Sequence, residues 1–361
     1  MTAPPLHLSG VVLPEGEHRD VWVREGRFTF EPVPGAETVS RGGWLLPGLV
    51  DAHCHVGIAT GGGHVEDHAG LRRQALDERD AGVLALRDCG SPVDTRALDD
   101  EPDLPRIIRA GRHIARTRRY IPGLGIELEP EDLVAEVRAQ ARRGDGWVKL
   151  VGDWIDRDRG NLGPEWPRPV LDAAIAAAHE EGARVTAHTF GTDALPDLIG
   201  AGIDCIEHGT GMTEELVAEM AARGTAVVPT LVNVENFPGF AAAGEKKFPA
   251  YASTMRRLYA QSGAVVRAAF EAGVPVFAGT DAGGGIEHGR IADEIRALSE
   301  AGLPPEAALA AGSWAARSWL GLPCIEEGAP ADVVAYDADP RKDLETLQRP
   351  QRMVLRGRVV G

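Results

Sequence analysis

The sequence contains little cysteine and no long uninterrupted apolar run. Its four cysteines are far apart in the chain, and none lies in a CxxC pair: Cys54, Cys89, Cys205 and Cys324. This spacing indicates reduced thiols rather than a disulfide framework. Charged residues or glycines interrupt every apolar stretch, so no membrane span is predicted. The N-terminal segment lacks the basic and apolar pattern of a secretion signal, and we therefore expect a cytoplasmic protein.

Positive charge is also in short supply. The chain has 38 Lys and Arg against 54 Asp and Glu, which gives a formal net charge of −16 at pH 7. A protein this acidic repels phosphate backbones, and it has no basic tail, so nucleic acid is not expected as a partner. The sequence leaves open whether the chain forms a homo-oligomer.

The middle of the chain alternates between short apolar runs and helical patterns. Helical stretches such as 131–144 and 170–182 end in glycine, a common helix stop. Strand and helix alternating in this way imply a parallel sheet, and eight fairly even repeats favour a closed (β/α)8 TIM barrel over a doubly wound sheet. The candidate strands are 48–55, 82–89, 106–111, 147–151, 184–189, 202–209, 225–231 and 274–283.

Both ends of the chain show a different sequence pattern, with short strand-like segments separated by turns. Residues 1–46 and 325–361 show this pattern, which predicts one small sheet made from both termini. The barrel is then expected over residues 47–324.

The first candidate strand ends in two histidines, within the segment GLVDAHCHVGI. Side chains alternate along a strand, so His53 and His55 point to the same face and Cys54 points to the other. Two imidazoles placed in this way can bind one metal ion. A pair of solvated loop histidines is the alternative.

Four further polar residues lie at the C-terminal ends of apolar runs. The carboxyl ends of barrel strands meet on one face, where active sites are built, so these residues are expected to converge with the two histidines. They are Lys149, His188, His208 and Asp281.

Lys149 needs a separate explanation, because a buried ammonium group beside metal ions is unfavourable. A lysine amine can react with carbon dioxide to form a carbamate, whose two oxygens can bridge two metal ions. We expect this carbamate on Lys149. The alternative is an ordinary ion pair with a nearby carboxylate such as Asp153.

This set of residues resembles the binuclear-metal amidohydrolase superfamily over nearly the whole chain. The segments AHTFGTDALPDLIGAGIDCIEHGTGM and GAPADVVAYDADP look most similar to its imidazolonepropionase-like group, which includes Xaa-Pro dipeptidases. The resemblance implies an α/β fold in which a (β/α)8 TIM barrel carries a small β-sandwich domain built from both termini.

The resemblance also implies the roles of the six residues. His53, His55 and Asp281 would hold the more buried metal ion, and His188 and His208 the more exposed one, with carboxylated Lys149 bridging them. Zinc suits these ligands best, and manganese, cobalt and iron are alternatives. A hydroxide bridging the two ions would attack a carbonyl carbon, and Asp281 would act as general base and then as general acid.

Substrate contacts are expected from the loops. His288 follows the last candidate strand, and Asn233 follows the seventh. After the third strand, Arg119 and Tyr120 replace the Gly-Gly-His stretch typical of the dipeptidase-like proteins, which weakens a dipeptidase assignment. Arg116, Arg118 and Arg119 could clamp a substrate carboxylate, or they could form a solvated charged loop.

The predicted function is hydrolysis of an amide C–N bond in a small molecule such as a dipeptide, an N-acyl amino acid or a cyclic amide. A deaminase is an alternative, although the segment HTFGTDALP after the fifth strand lacks the glutamate that deaminases usually place there. A lactonase or phosphotriesterase would use the same metal centre. A scaffold that has lost its chemistry is disfavoured, because every expected ligand is present.

Overall fold

A computed structural model describes residues 4–361 of the chain. Residues 1–3, which belong to the predicted terminal sheet, lie outside the described residues. Over the described range the strands are, in chain order, β1 (Leu6–Val12), β2 (Glu17–Arg24), β3 (Arg27–Thr29), β4 (Glu37–Pro47), β5 (Leu49–Cys54), β6 (Val83–Asp88), β7 (Arg106–Arg109), β8 (Ile114–Arg116), β9 (Ile126–Leu128), β10 (Trp147–Val151), β11 (Asp153–Asp156), β12 (Asn161–Pro164), β13 (Arg184–Thr189), β14 (Cys205–His208), β15 (Ala226–Val228), β16 (Val333–Tyr336), β17 (Arg352–Leu355) and β18 (Arg358–Val360).

The helices follow the barrel strands and several carry recognisable end signals. Thr213 precedes the fifth helix and accepts a hydrogen bond from the backbone N–H of Leu216, and Gly224 ends that helix with a φ of 73°. Glycine adopts this left-handed conformation readily. The helices are α1 (His68–Asp80), α2 (Leu133–Arg143), α3 (Arg168–Glu180), α4 (Leu195–Gly200), α5 (Glu214–Arg223), α6 (Leu231–Val234), α7 (Phe237–Gly244), α8 (Pro249–Glu271), α9 (Ile291–Glu300), α10 (Pro305–Ala311) and α11 (Trp314–Trp319).

Parallel strands form the wall of a barrel. One sheet has the order β5-β6-β7 and the other the order β15-β14-β13-β10-β8-β9. The segment 274–283 closes the ring, because Phe277 N–H donates to Val227 O at 3.0 Å and Ala52 N–H donates to Ala278 O at 2.9 Å. The barrel is thus confirmed against the doubly wound alternative.

The eighth predicted strand is less regular than expected. Segment 274–283 makes only isolated bridges: Val276 pairs with Val227, and Ala282 pairs with Cys54 and with Ile286. Pro275 has no N–H to donate to a ladder, which limits regular pairing on that side. The seventh strand is also shorter than the predicted 225–231, since β15 ends at Val228.

The barrel interior has an apolar lower layer and a charged upper layer. Trp147 packs in one buried cluster with residues of other strands, among them Ala52, Cys205 and Phe277. Above it lies the buried Arg87, whose guanidinium is 4.4 Å from the centre of the Trp147 ring. The interior therefore changes from apolar to ionic towards the C-terminal ends of the strands.

Strands from both termini form one seven-stranded sheet in the order β18-β17-β16-β4-β1-β2-β3. Alternate residues of β4 serve two cores, because Leu45 packs within the sheet's own cluster and Leu46 packs in the barrel cluster. Gly48 alone separates β4 from β5, and a Cβ there would lie 2.5 Å from the Cβ of Leu84. The domain boundaries at residues 46 and 325 stay predictions.

None of the helices between residues 4 and 361 combines the length and the apolar character needed to cross a membrane.

Candidate metal centre

His53 in β5 and His55, just beyond the end of that strand, meet Asp281 at the mouth of the barrel. His53 Nε2 lies 3.1 Å from His55 Nε2, and Asp281 Oδ1 lies 3.0 Å from each of these nitrogens. Donor atoms that bind one ion at about 2.0–2.1 Å are themselves roughly 3 Å apart. Two imidazoles and a carboxylate arranged in this way fit a divalent ion.

A second pair of histidines lies beside this group. His208 Nε2 is 2.9 Å from His188 Nδ1, and the centres of the His53 and His208 rings are 5.3 Å apart. His208 Nδ1 bonds to Thr230 Oγ1 at 2.7 Å. His188 Nε2 is buried and has no protein partner. The close approach of His188 Nδ1 and His208 Nε2 fits two donors to one ligand that is not part of the protein.

Burial sets the protonation states of these side chains. It lowers the pKa of His53, lowers that of His188 well below its usual value, and lowers that of His208 to about 3. Burial alone would raise the pKa of Asp281, but His53, His55 and His208 hold it well below its usual value. Neutral imidazoles and an ionised carboxylate are the forms that bind metal ions.

Residues with left-handed backbone conformations lie at or just beyond the ends of β14, β15 and the segment 274–283. His208, Thr230 and Asp281 have φ values of 64°, 50° and 58°. This conformation costs a residue other than glycine about 1–2 kcal/mol. Strain of this kind is concentrated at functional sites, where the surrounding structure holds it in place.

Glu207 is a buried residue of this centre that the sequence analysis did not single out. Its carboxylate forms a buried ion pair with the Lys149 ammonium group and accepts a hydrogen bond from Thr186 Oγ1 at 2.8 Å. It also lies 3.7 Å from His53 Nδ1 and 3.9 Å from Arg87. Burial would raise the pKa of Glu207, but His53, Lys149 and Arg87 hold it well below its usual value.

Lys149 therefore has a carboxylate partner, but not the one named as an alternative. Asp153 instead accepts hydrogen bonds from the backbone N–H groups of Phe190 and Gly191, at 2.9 and 2.6 Å. A charged residue within the apolar segment CIEHG was the signal available in the sequence. Strict alternation along β14 would place Glu207 and His208 on opposite faces, and the left-handed His208 breaks that alternation.

A cavity of about 450 Å³ opens above this centre, and His55, Lys149, His188 and Asp281 form part of its lining. Tyr120 lines it, as predicted for a substrate contact, and burial raises the pKa of its hydroxyl. Asn233 also lines the cavity, and its Nδ2 donates to Asp281 Oδ2 at 2.7 Å.

Other predicted contacts are not brought to the cavity. Arg119 donates to Asp156 at 3.2 Å and to the carbonyl of Gly163 at 3.1 Å, facing the β11–β12 hairpin. His288 Nδ1 bonds to the buried Glu78 at 2.8 Å. Arg116, the last residue of β8, and Arg118 also lie outside the described cavity lining.

Known proteins resemble this chain both in sequence and in structure. The amidohydrolase family matches residues 102–360. An uncharacterised protein of Mycobacterium tuberculosis is 59% identical over 358 residues, which cover 99% of this chain and 96% of that protein. Ochratoxinase of Aspergillus niger is 27% identical over 234 residues, which cover 61% of this chain and 47% of the ochratoxinase.

Solved structures share the fold along the whole chain. A Xaa-Pro dipeptidase with bound methionine superposes with a TM-score of 0.82 at 22% identity, covering 99% of each chain. The A. niger ochratoxinase structure gives a TM-score of 0.79 at 20% identity, covering 99% of this chain and 96% of the ochratoxinase. The family match, with the metal-binding donors described above, leads to one conclusion: the chain belongs to the amidohydrolase family and is a metal-dependent hydrolase of C–N bonds in small molecules.

Proposed function

We propose that the protein cleaves the amide bond of a dipeptide, an N-acyl amino acid, a cyclic amide or a related small molecule at the floor of this cavity. The observation that carries the proposal is the convergence of His53 Nε2, His55 Nε2 and Asp281 Oδ1 within 3.1 Å of one another, directly below an open cavity.

Two adjacent ion positions are proposed. His53, His55 and Asp281 would hold one, and His188 and His208 would hold the other, with Lys149 between them. Zinc is the ion that these ligands suit best. Divalent ions held there would acidify a water molecule and polarise the substrate carbonyl.

Asp281 is proposed to move the proton. Its Oδ1 faces the two imidazoles, while its Oδ2 accepts from Asn233, so the carboxylate is fixed at both oxygens. From this position it would take the proton of the attacking water and pass it to the leaving nitrogen. Asn233 is then a positioning residue for Asp281.

The carbamate on Lys149 is proposed to form only together with metal binding. In the ion pair with Glu207, the Lys149 ammonium group offsets a buried negative charge. Reaction with carbon dioxide would replace that cation by an anion and release two protons, which would leave two anionic groups side by side. Nearby cations would have to balance them.

Labelled bicarbonate tests this coupling. Protein loaded with zinc in ¹³C-bicarbonate should show a carbamate carbon signal, and the metal-free protein should not. Lys149→Ala should lose the signal under both conditions. A carbamate signal in the metal-free protein would contradict the coupling, and a zinc-loaded protein with two ions and no signal would contradict the carbamate itself.

A substrate panel tests the reaction. Zinc-loaded protein should bind about two ions per chain and hydrolyse the amide bond of at least one member of a panel of dipeptides, N-acyl amino acids, anilides and cyclic amides. One ion per chain, with ammonia released from an aminated heterocycle, would indicate a deaminase. Turnover of lactones or phosphate triesters alone would also overturn the proposal.

A further inference from the structure

We infer that the cavity selects neutral substrates that carry an apolar or aromatic group, and discriminates against amides that bear a free carboxylate. Among the proposed substrate classes this favours cyclic amides and other uncharged amides over dipeptides and N-acyl amino acids. This inference rests on the proposed function, because it takes the scissile amide to lie at the metal centre. It concerns the part of the substrate that lies between that centre and the mouth of the cavity.

One wall of the cavity is aromatic from floor to mouth. Trp154, Tyr120 and His188 pack against one another, with the Trp154 ring centre 4.8 Å from that of Tyr120 and 5.3 Å from that of His188. The ring centre of Phe190 lies 4.3 Å from that of His188. Phe240 and Tyr251 continue this lining. Aromatic rings placed around a cavity favour a flat apolar group through offset and edge contacts.

Apart from the proposed ions at its floor, the described lining of the cavity offers no free cation to a carboxylate. Among its described lining residues only Lys149 and Asp281 carry a formal charge, apart from the histidines. Lys149 lies at the floor and is paired with Glu207. A carboxylate further up would lose its hydration without gaining an ion pair, which is unfavourable.

The arginine that precedes Tyr120 in the chain is held outside the cavity. Arg119 is 16% exposed, and its guanidinium is bonded to Asp156 and to backbone carbonyls of the β11–β12 hairpin. Moving it to the cavity would break these bonds. The formal net charge of −16 adds a general repulsion of anions.

The mouth of the cavity is apolar as well. Ile121 is 40% exposed and Phe240 is 37% exposed, and both line the cavity. They are two of four large hydrophobic residues that the described chain leaves exposed. Exposed apolar residues gathered at one opening mark a binding surface rather than random scatter.

Two ketones test the preference for neutral over carboxylate-bearing ligands. Neither contains an amide bond that the protein could cleave. Valerophenone and 3-benzoylpropionate have the same phenyl ketone, and they end in an alkyl chain and a carboxylate respectively. We expect calorimetry on the zinc-loaded protein to give a dissociation constant about tenfold lower for valerophenone, because the carboxylate finds no partner. The metal-free protein should show the same order.

Two substitutions that introduce a positive charge test where in the cavity the carboxylate is disfavoured. Phe240→Arg places a cation at the mouth and should narrow the ratio of the two dissociation constants by about fivefold or more. Tyr259→Arg is the matched control, since Tyr259 is 44% exposed on α8 and does not line the cavity. It should leave the ratio unchanged.

The outcomes separate this inference from the proposed function. Equal or tighter binding of 3-benzoylpropionate overturns the inference, even if amides are hydrolysed. Failure of both ketones to bind at millimolar concentration also overturns it. The same ratio in Phe240→Arg as in the native protein contradicts the placement of the apolar group at the mouth. Failure of the amide panel with the ketone preference intact overturns only the proposed function.

Discussion

Lys149 and Glu207 form an ion pair inside the barrel, and neither side chain is more than 1% exposed. Glu207 is also within 3.9 Å of Arg87, so a single carboxylate faces two buried cations. A buried charge that loses its partner is far more costly than a buried pair. The floor of the metal centre therefore depends on Glu207 for its charge balance.

Glu207→Gln tests this balance. The substitution keeps the shape of the side chain but leaves the Lys149 and Arg87 cations uncompensated. We expect the free energy of unfolding to fall by roughly 3–5 kcal/mol in urea titrations of the metal-free protein. Thr186→Val is the control, because it removes only one hydrogen bond to Glu207, worth about 1 kcal/mol. Equal losses in both variants would contradict this role of Glu207.

Asp281 and Asn233 should affect turnover to different degrees. Asp281→Asn should lower kcat by about 10²–10⁴-fold, because the proton acceptor is lost. Asn233→Ala should lower kcat by about tenfold, because only the orientation of Asp281 is lost. Asn236→Ala is the milder control, since it removes a 3.2 Å bond to Asn233 and leaves the contact with Asp281 in place. An effect of Asn233→Ala on KM alone would instead indicate direct substrate contact.

The second ion position can be tested through His188. His188→Asn should reduce the metal content from about two ions to about one and should lower kcat/KM by about 100-fold or more. His179→Asn should change neither value, because His179 is 42% exposed and bonds to Asp204. Full metal content in His188→Asn would refute this ligand assignment.

Glu294 should make stability depend on pH. Its carboxylate accepts from the backbone N–H groups of Leu231 and Val232, which begin the helix that carries Asn233. Burial raises the pKa of Glu294 to about 8 from an ordinary value of 4.5. The folded protein therefore holds this proton more tightly, so the contribution of Glu294 to stability is full below pH 4.5 and is lost as the pH rises to about 8.

Glu294→Gln should remove this pH dependence. Between pH 5 and 8, the stability of the native protein should fall relative to that of the variant by an amount on the order of a few kcal/mol. Urea midpoints of both proteins, measured in chelator at each pH, give the difference. Parallel curves would show that Glu294 keeps its ordinary pKa.

Much of the fold could be predicted because the alternation of strands with helices and the positions of polar residues at strand ends agree along the chain. Apolar runs followed by helical patterns fixed the barrel, and polar residues at the ends of those runs marked the face where Lys149, His188 and His208 meet. These inferences need only strand geometry and chain order. They do not require knowledge of any loop.

The remaining features depend on long-range partners or on backbone conformations that side-chain identity does not reveal. His288 bonds to Glu78, 210 positions away, and Arg119 bonds to Asp156 on a hairpin. Nothing local marks either residue as turned away from the cavity. The left-handed conformation of His208, with its φ of 64°, could not be foreseen, since glycine is the usual signal for it.

Gly48 joins the terminal sheet directly to the strand that leads to the histidine pair. β17 pairs with β16, β16 pairs with β4, and one residue beyond β4 the chain enters the strand that carries His53. Residue 355 is thus connected to His53 through two strand ladders, Gly48 and the first residues of β5. We therefore expect a fusion partner or surface attachment at that end to perturb the metal centre.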